Sequence, residues 1–203
     1  MKIAAKIIKT VLLAAVVAIV VFLLWRIFTF NSVSVLGDIT PTENAREAYA
    51  SGNPDAFMTN KIHDRISGNE EGADGYFSAF SFVYLPEAKE VQVTIRVNDS
   101  TSEKLSLPSL MPYFYLKFNE NGEDTGEIRE CSYFEDEHKL MYSYRRLVFE
   151  DVEITDITNL IICLSDTGET DACVSELVIH FQEQPLEKYK LSGGEKKSLE
   201  NGD

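Results

Sequence analysis

The hydrophobic pattern of the chain begins with one long apolar segment. Residues 11–25 read VLLAAVVAIVVFLLW without a charge, and two further apolar residues on each side extend the segment to 7–28. A helix rises 1.5 Å per residue, so crossing a bilayer core of about 30 Å takes roughly 20 residues. Lys9 and Arg26 can lay their stems along such a helix and lift their charges to the two interfaces. The pattern predicts that residues 1–30 form a cytoplasmic stub and a transmembrane helix, which contacts the membrane through residues 7–28.

The charges around this segment predict its orientation. Lys2, Lys6 and Lys9 precede it, and an excess of basic residues marks the cytoplasmic side. A cleaved signal peptide is the alternative, since Ser32 and Ser34 have the spacing of a cleavage site. Those serines lie well beyond the apolar segment, however, which favours an uncleaved signal anchor. We therefore expect a single-pass protein of the cell membrane with its C-terminal domain outside the cell.

A spacer with one short helix follows the anchor. Residues 31–55 are mixed in polarity, and Thr40-Pro41-Thr42-Glu43 offers an N-cap, a proline at the first helical position and a glutamate three residues after the cap. The turn residues Ser51-Gly52-Asn53-Pro54 then end the helix. The sequence predicts a helix over 41–50 within a spacer that lies outside the folded domain, so the domain should fold without residues 1–54.

Beyond Pro54 the hydrophobic period changes to two. Val91, Val93, Ile95 and Val97 alternate with polar residues, which is typical of a strand with one buried face. Similar segments are 56–62, 76–84, 113–118, 127–134, 138–149, 159–165 and 173–181, separated by turns that include 119–122 and 135–137. About eight short strands favour a two-sheet sandwich or a barrel. We predict a mainly β fold, an antiparallel β-sandwich (jelly-roll or Ig-like) over 56–184, and a disordered polar tail over 185–203.

Two stretches of the sequence in this predicted β region resemble a known group of proteins. YLPEAKEVQVTIRVNDS (84–100) and PLEKYKLS (185–192) resemble uncharacterised membrane-anchored proteins of Gram-positive bacteria. The likeness covers most of residues 40–192 and contains no catalytic motif. It implies a bacterial cell surface and no known activity.

The charge of the chain excludes one class of partner. Residues 1–37 carry four basic residues and no acid, which leaves 15 basic and 33 acidic residues for the rest, a net charge of −18 within the total of −14. Such a domain repels phosphate backbones, so nucleic acid is not an expected partner. The acidity indicates a solubilising surface or, alternatively, a surface that binds cations or a basic partner.

No motif predicts catalysis, a cofactor or a metal centre. The three histidines and three cysteines lack zinc-ligand spacing, and the chain has no G-x-S-x-G elbow. Two loops, 119–124 and 166–171, are rich in the oxygen ligands that Ca²⁺ prefers, although both also read as ordinary hairpin turns. We expect no catalytic, cofactor or metal residues, with structural Ca²⁺ as the one alternative.

Two cysteines are candidates for a disulfide. Cys163 and Cys173 flank a loop centred near residue 168, so a hairpin about that residue would pair them across two strands. That register puts Cys173 on the face of Leu177, where a disulfide would be largely buried. The alternative is two free thiols, and Cys131 is expected to be a small buried hydrophobe.

A tyrosine-rich face is the candidate binding surface. Tyr113, Tyr115, Tyr142, Tyr144 and Arg146 occupy alternating strand positions, where tyrosine and arginine can stack on a sugar or hold a peptide. We therefore expect a non-catalytic binding or interaction module whose ligand is a glycan, a peptide or an envelope protein. The rival hypothesis is a carbohydrate-active or other surface hydrolase with its site on the sandwich loops.

Overall fold

A computed structural model describes residues 2–30, 39–60, 77–98, 113–139, 142–155, 158–165, 169–170, 173–181 and 185–201. These residues form three helices and ten strands. The helices are α1 (Lys2–Phe30), α2 (Glu43–Ala50) and α3 (Gly193–Asn201). The strands are β1 (Met58–Thr59), β2 (Phe77–Leu85), β3 (Glu90–Asn98), β4 (Tyr113–Glu120), β5 (Glu123–Glu130), β6 (Tyr133–His138), β7 (Tyr142–Phe149), β8 (Thr158–Ser165), β9 (Cys173–His180) and β10 (Glu187–Lys188).

Helix α1 contains the predicted apolar segment. Its stretch Lys6–Phe28 is long and apolar enough to cross a membrane. The side chains of that stretch are exposed along its whole length. An apolar helix without protein cover among the described residues has the surface that a lipid environment accepts.

Two antiparallel sheets form the β-sandwich that the period-two pattern predicts. One has six strands in the order β10-β1-β2-β3-β7-β6, and the other has four in the order β5-β4-β8-β9. The core lies between them and includes the predicted inner face of β3, whose Val91, Val93 and Ile95 are fully buried. Phe77 and Phe114 bring the two sheets together, edge to face, with ring centroids 5.1 Å apart.

Helices α2 and α3 form a third layer on the outside of the six-stranded sheet. A second apolar cluster packs Ala45 and Ala48 of α2 and Leu199 of α3 against Val83 and Leu85 of β2. These two β2 residues point away from the central core, so helices, rather than water, cover this face. Residues 39–55 therefore belong to the folded domain, and the predicted spacer over 31–55 is wrong for that part.

Polar side chains on the outer face of β3 tie the start of α2 to the sheet. Glu90 and Gln92 are 0% and 1% exposed, although the alternation predicts an open face there. The Glu90 carboxylate accepts hydrogen bonds from the Thr42 hydroxyl (2.8 Å), the Asn44 amide (2.9 Å) and the Gln92 amide. Thr42 also caps α2, because its side chain accepts a hydrogen bond from the backbone N–H of Ala45. The helix is where the sequence predicts it, but its N-cap is Thr42 and not Thr40.

The acidic residues in the middle of the domain form two edge strands, β5 and β6, and the strand and turn bounds that the sequence predicts for this region need correction. Strand β5 begins at Glu123, and β6 contains residues 135–137, where the sequence predicts a turn. Within the described part of the chain each of these strands pairs on one side only, so neither shows the apolar alternation of an interior strand. The turn at 119–122 is confirmed: Asn121 and Gly122 have φ of 53° and 90°, the positive values of a tight two-residue hairpin turn.

Residues 185–201 form regular structure, so the disordered tail predicted over 185–203 is wrong for this range. Strand β10 pairs with β1, and α3 follows from Gly193 to Asn201. Ser192 and Glu195 form a reciprocal capping box, in which each side chain accepts a hydrogen bond from the other residue's backbone N–H. Leu199 is buried, and the Tyr49 hydroxyl donates to Glu200 at 2.7 Å. The polar composition hid a short amphipathic helix that depends on packing against α2.

Candidate functional site

The five residues of the predicted ligand face lie on two different sheets. Tyr113 and Tyr115 are on β4 of the four-stranded sheet, whereas Tyr142, Tyr144 and Arg146 are on β7 of the six-stranded sheet. Tyr115 and Arg146 are 0% exposed and Tyr144 is 3% exposed. The structure therefore does not bring the two groups together on one face, and Tyr115, Tyr144 and Arg146 are not open to a ligand.

Arg146 connects strands of the sheet and does not face a ligand surface. It lies opposite Thr94 on β3, and its Nε donates a hydrogen bond of 2.6 Å to the Thr94 hydroxyl. The Ser81 hydroxyl donates to the same oxygen at 2.9 Å. This chain of polar contacts connects β2, β3 and β7 on the outer face of the six-stranded sheet. The bond from Nε satisfies one donor of this buried guanidinium and links β7 to β3.

The two cysteines of the predicted disulfide do lie near each other, but in another register. Cys163 pairs with Glu176, and Cys173 pairs with Ser165, with an irregularity between Leu164 and Ser165 opposite Val174. The predicted pairing of Cys163 with Cys173 is therefore wrong. The irregularity also turns Cys173 to the face of Cys163 and away from that of Leu177. Both residues are free thiols, as is Cys131, which is half-buried against the core.

These thiols form a compact cluster with Glu176 on the outer face of the four-stranded sheet. The two sulfur atoms and a carboxylate oxygen of Glu176 all lie within 4.8 Å of one another. Tyr115, which is opposite Cys163 on β4, places its ring on the same face. We call Cys163, Cys173, Glu176 and Tyr115 the thiol cluster. Cys163 and Tyr115 are buried, whereas Cys173 and Glu176 are partly exposed.

The environment of the cluster separates the acidities of its two thiols. A hydrogen bond from the Cys163 thiol stabilises the Cys173 thiolate and lowers the pKa of Cys173 to about 7. The same hydrogen bond, together with burial, raises the pKa of Cys163 well above its usual range. Burial and the neighbouring sulfurs raise the pKa of Tyr115. Cys173 is thus the more acidic of the two thiols, and in the structure it donates a hydrogen bond of 3.4 Å to the Ser175 carbonyl.

A second feature is the acidic edge, which we define as residues 123–138 of β5 and β6. Only two residues join these strands, so the edge of one sheet lies beside the edge of the other. The segment carries seven acidic residues and one basic residue, Arg129. Glu123, Asp124 and Glu130 are exposed, and none of them has an ion-pair partner among the described residues. The acidic edge is thus a concentrated source of negative potential.

Exposed aromatic rings lie in the middle of the acidic edge. Outside α1, the exposed large hydrophobic residues of the described chain are Tyr133, Phe134 and Val178, and the first two are each 46% exposed. They are neighbours on β6 and point to opposite faces of the sheet. The guanidinium of Arg145 lies 4.6 Å from the centre of the Phe134 ring, and the Tyr133 hydroxyl donates to Glu135 at 3.1 Å. The rings are therefore held in place while remaining open to solvent.

A polar cleft of about 420 Å³ lies near one end of the sandwich, with Phe118 and Arg129 in its wall. Four of its six charged residues form ion pairs, since Lys89 binds Glu153 at 2.7 Å and Arg129 pairs with Glu127, and the other two are Glu120 and Asp151. The Lys89 ammonium lowers the pKa of the Glu153 carboxyl, which is the opposite of what a general acid at neutral pH requires.

Neither the thiol cluster nor the acidic edge follows from a local motif. The cysteines are ten positions apart, and their approach depends on the irregularity at Val174. The sequence signal for the acidic edge is the density of acids between residues 123 and 137, and part of that stretch is also typical of a turn. Comparison with known proteins found no matching family model, no matching curated protein and no matching solved structure.

Proposed function

We propose that this chain is a membrane-anchored, extracytoplasmic binding module whose acidic edge takes a basic polypeptide segment. The single observation that carries the proposal is the acidic edge itself, which combines the exposed carboxylates of Glu123, Asp124 and Glu130 on β5 with the exposed rings of Tyr133 and Phe134 on β6. The long apolar helix α1 supports the anchor, and the lysines before it support a cytoplasmic N-terminus.

Charge favours a basic partner over the other ligand classes. Residues 123–138 have a formal net charge of −6, from seven acidic residues and Arg129, with His138 counted as neutral. Lys139 and Arg145 pair with Glu137 and Asp136 from outside the segment, which leaves about −4 for a partner. Complementary potentials accelerate encounter and fix the register of a complex, and like charges reject the wrong partner. Lysine and arginine side chains supply that complementarity, and their cations also stack on aromatic rings.

The backbone of strand β6 favours a ligand that binds in an extended conformation. Among the strands that the structure describes, β6 is an edge strand, since it pairs with β7 on one side only. An extended peptide can add to such an edge through main-chain hydrogen bonds, with alternate side chains providing specificity. Tyr133 and Phe134 would then flank the added strand, one on each face. Exposed edges are also a route to aggregation, which the carboxylates of the unoccupied protein oppose.

The test is binding of a fluorescent lysine- and arginine-rich peptide, followed by anisotropy at low and physiological salt. We expect binding that weakens as salt rises, and the double substitution Glu123→Gln with Glu130→Gln should weaken it further. The matched control is Glu43→Gln with Glu47→Gln, which changes the charge equally on exposed residues of α2. Equal weakening by both pairs would mean that net charge, and not the acidic edge, attracts the peptide, and the proposal would fail.

The proposed topology has its own test. Protease added to intact cells should remove the C-terminal domain and leave an N-terminal fragment that contains α1 protected. A mature N-terminus near residue 35 would instead identify a cleaved signal peptide.

The hydrolase hypothesis gains no specific support from the described residues. The polar cleft offers carboxylates, but Glu127 and Glu153 are engaged by Arg129 and Lys89. The binding module is therefore the function that the geometry favours.

A further inference from the structure

The thiol cluster has the dimensions of a metal site. In a tetrahedral zinc centre, Zn–S bonds of about 2.3 Å and Zn–O bonds of about 2.0–2.2 Å put the ligand atoms roughly 3.5–3.8 Å apart. The sulfur atoms of Cys163 and Cys173 and a carboxylate oxygen of Glu176 all lie within 4.8 Å of one another. Small rotamer changes close the remaining distance.

The strand register favours a shared ion over a disulfide. Cys173 pairs with Ser165, two positions along β8 from Cys163, so the two cysteines are diagonal neighbours. Diagonal positions on adjacent strands have Cα atoms about 7–8 Å apart, whereas disulfides join Cα atoms separated by about 4.4–6.8 Å. Side chains at such positions converge on a common point more easily than they form a direct bond.

An unsatisfied hydroxyl provides a second, independent observation. The Tyr115 side chain is 0% exposed, and its hydroxyl has no hydrogen-bond partner within the part of the chain that the structure describes. Both sulfur atoms are close enough to raise its pKa, but neither forms a well-directed hydrogen bond with it. A buried hydroxyl without a partner is costly, and a thiolate accepts a hydrogen bond better than a thiol does. Conversion of the thiols to metal-bound thiolates would therefore satisfy Tyr115.

We propose that Cys163, Cys173 and Glu176 bind a Zn²⁺ ion, with Tyr115 donating a hydrogen bond to a bound sulfur. Two thiolates and one carboxylate suit this borderline-soft ion, whereas Ca²⁺ and Mg²⁺ take oxygen ligands. Binding releases the two thiol protons to solvent, and a water molecule completes the fourth position. The ion enters from the side of Cys173 and Glu176, which are partly exposed.

The experiment titrates Co²⁺, a spectroscopic substitute for Zn²⁺, into the full chain in detergent micelles with a non-thiol reductant. We expect one equivalent to produce the near-ultraviolet absorption of cobalt thiolates, and Zn²⁺ to abolish it by displacement. Cys163→Ser and Cys173→Ser should each diminish the absorption strongly. Cys131→Ser is the matched control and should leave it unchanged. Tyr115→Phe should retain the absorption but weaken the affinity by about 10- to 100-fold, the range for outer-shell partners.

A second measurement needs no variant and covers the case in which a substitution prevents folding. Zn²⁺ should protect Cys173 of the wild-type chain, the more exposed and more acidic of the two thiols, from alkylation, while Cys131 stays as reactive as before. Absence of cobalt–thiolate absorption in the reduced wild-type protein would overturn the proposal. So would equal protection of Cys173 and Cys131, or a Cys163–Cys173 disulfide in protein isolated without reductant.

Discussion

Thr42 joins helix α2 to the six-stranded sheet, and its replacement tests whether this third layer stabilises the domain. Its hydroxyl accepts a hydrogen bond from Ala45 N–H at 3.1 Å and donates one to Glu90 at 2.8 Å. Loss of an N-cap costs about 1 kcal/mol, and loss of a hydrogen bond to a charged group costs about 1.5–3 kcal/mol. Thr42→Ala should therefore lower the free energy of unfolding by about 2–4 kcal/mol. A domain of this size loses about 2–4 °C of Tm per kcal/mol, which gives a decrease of roughly 4–16 °C.

Two further substitutions at the same position separate the cap from the contact with Glu90. Thr42→Ser keeps both hydrogen bonds and should stay within about 1 kcal/mol of the wild type. Thr42→Asp retains a good N-cap but places a second carboxylate against the buried Glu90, so it should be less stable than Thr42→Ala at neutral pH. Urea and thermal unfolding of a soluble form that starts at Ile39, followed by circular dichroism, measure both effects. An aspartate variant as stable as the wild type would refute the role assigned to Glu90.

Two more predictions concern the domain boundary and the thiols. A form that begins at Ala56 lacks the hydrogen-bond donors Thr42 and Asn44 to Glu90, and it lacks the apolar residues of α2 that cover β2. It should therefore unfold at a much lower urea concentration than a form that begins at Ile39. Equal urea midpoints for the two forms would instead support the domain boundary at residue 54 that the sequence predicts. Because the pKa of Cys173 is lowered to about 7, its alkylation rate should level off above neutral pH, whereas that of Cys131, whose pKa is raised from 9.0 by burial, should still increase at pH 9. Mass spectrometry of alkylated peptides distinguishes the two profiles.

The sequence predicts the sandwich because local alternation carries that information. Val91, Val93 and Ile95 repeat at the period of a strand and are buried in the core. The cover over the other face of β3 is non-local, since Glu90 and Gln92 are buried by residues about 50 positions earlier in the chain. When polar and apolar residues alternate along a strand, the local sequence predicts that the polar face is exposed to solvent. Only the tertiary contacts show that both faces of β3 are buried.

The candidate sites depend on features that sequence pattern reports poorly. The approach of Cys163 and Cys173 follows from a register shift of the β8–β9 pair, and a shift by one residue reverses the face of every later side chain. The edge position of β5 and β6 also depends on the sheet topology. An acidic stretch of sequence is equally typical of a turn and of a solvent-exposed strand, so the sequence alone does not distinguish them. The capping box at Ser192 and Glu195 is the exception, since its spacing is visible in the sequence.

The short connection between anchor and domain bears on how the proposed module works. Because the fold includes residue 39, the predicted 25-residue spacer reduces to the eight residues between α1 and Ile39. That length spans at most about 30 Å, so the proposed anchor holds the domain close to the bilayer surface. A short tether raises the effective concentration of the domain for partners at the same surface, and it does nothing for partners in free solution. An acidic edge on such a tether suits a basic segment of another membrane-associated protein better than a secreted peptide, because the tether offsets the modest affinity that salt-screened charge contacts provide.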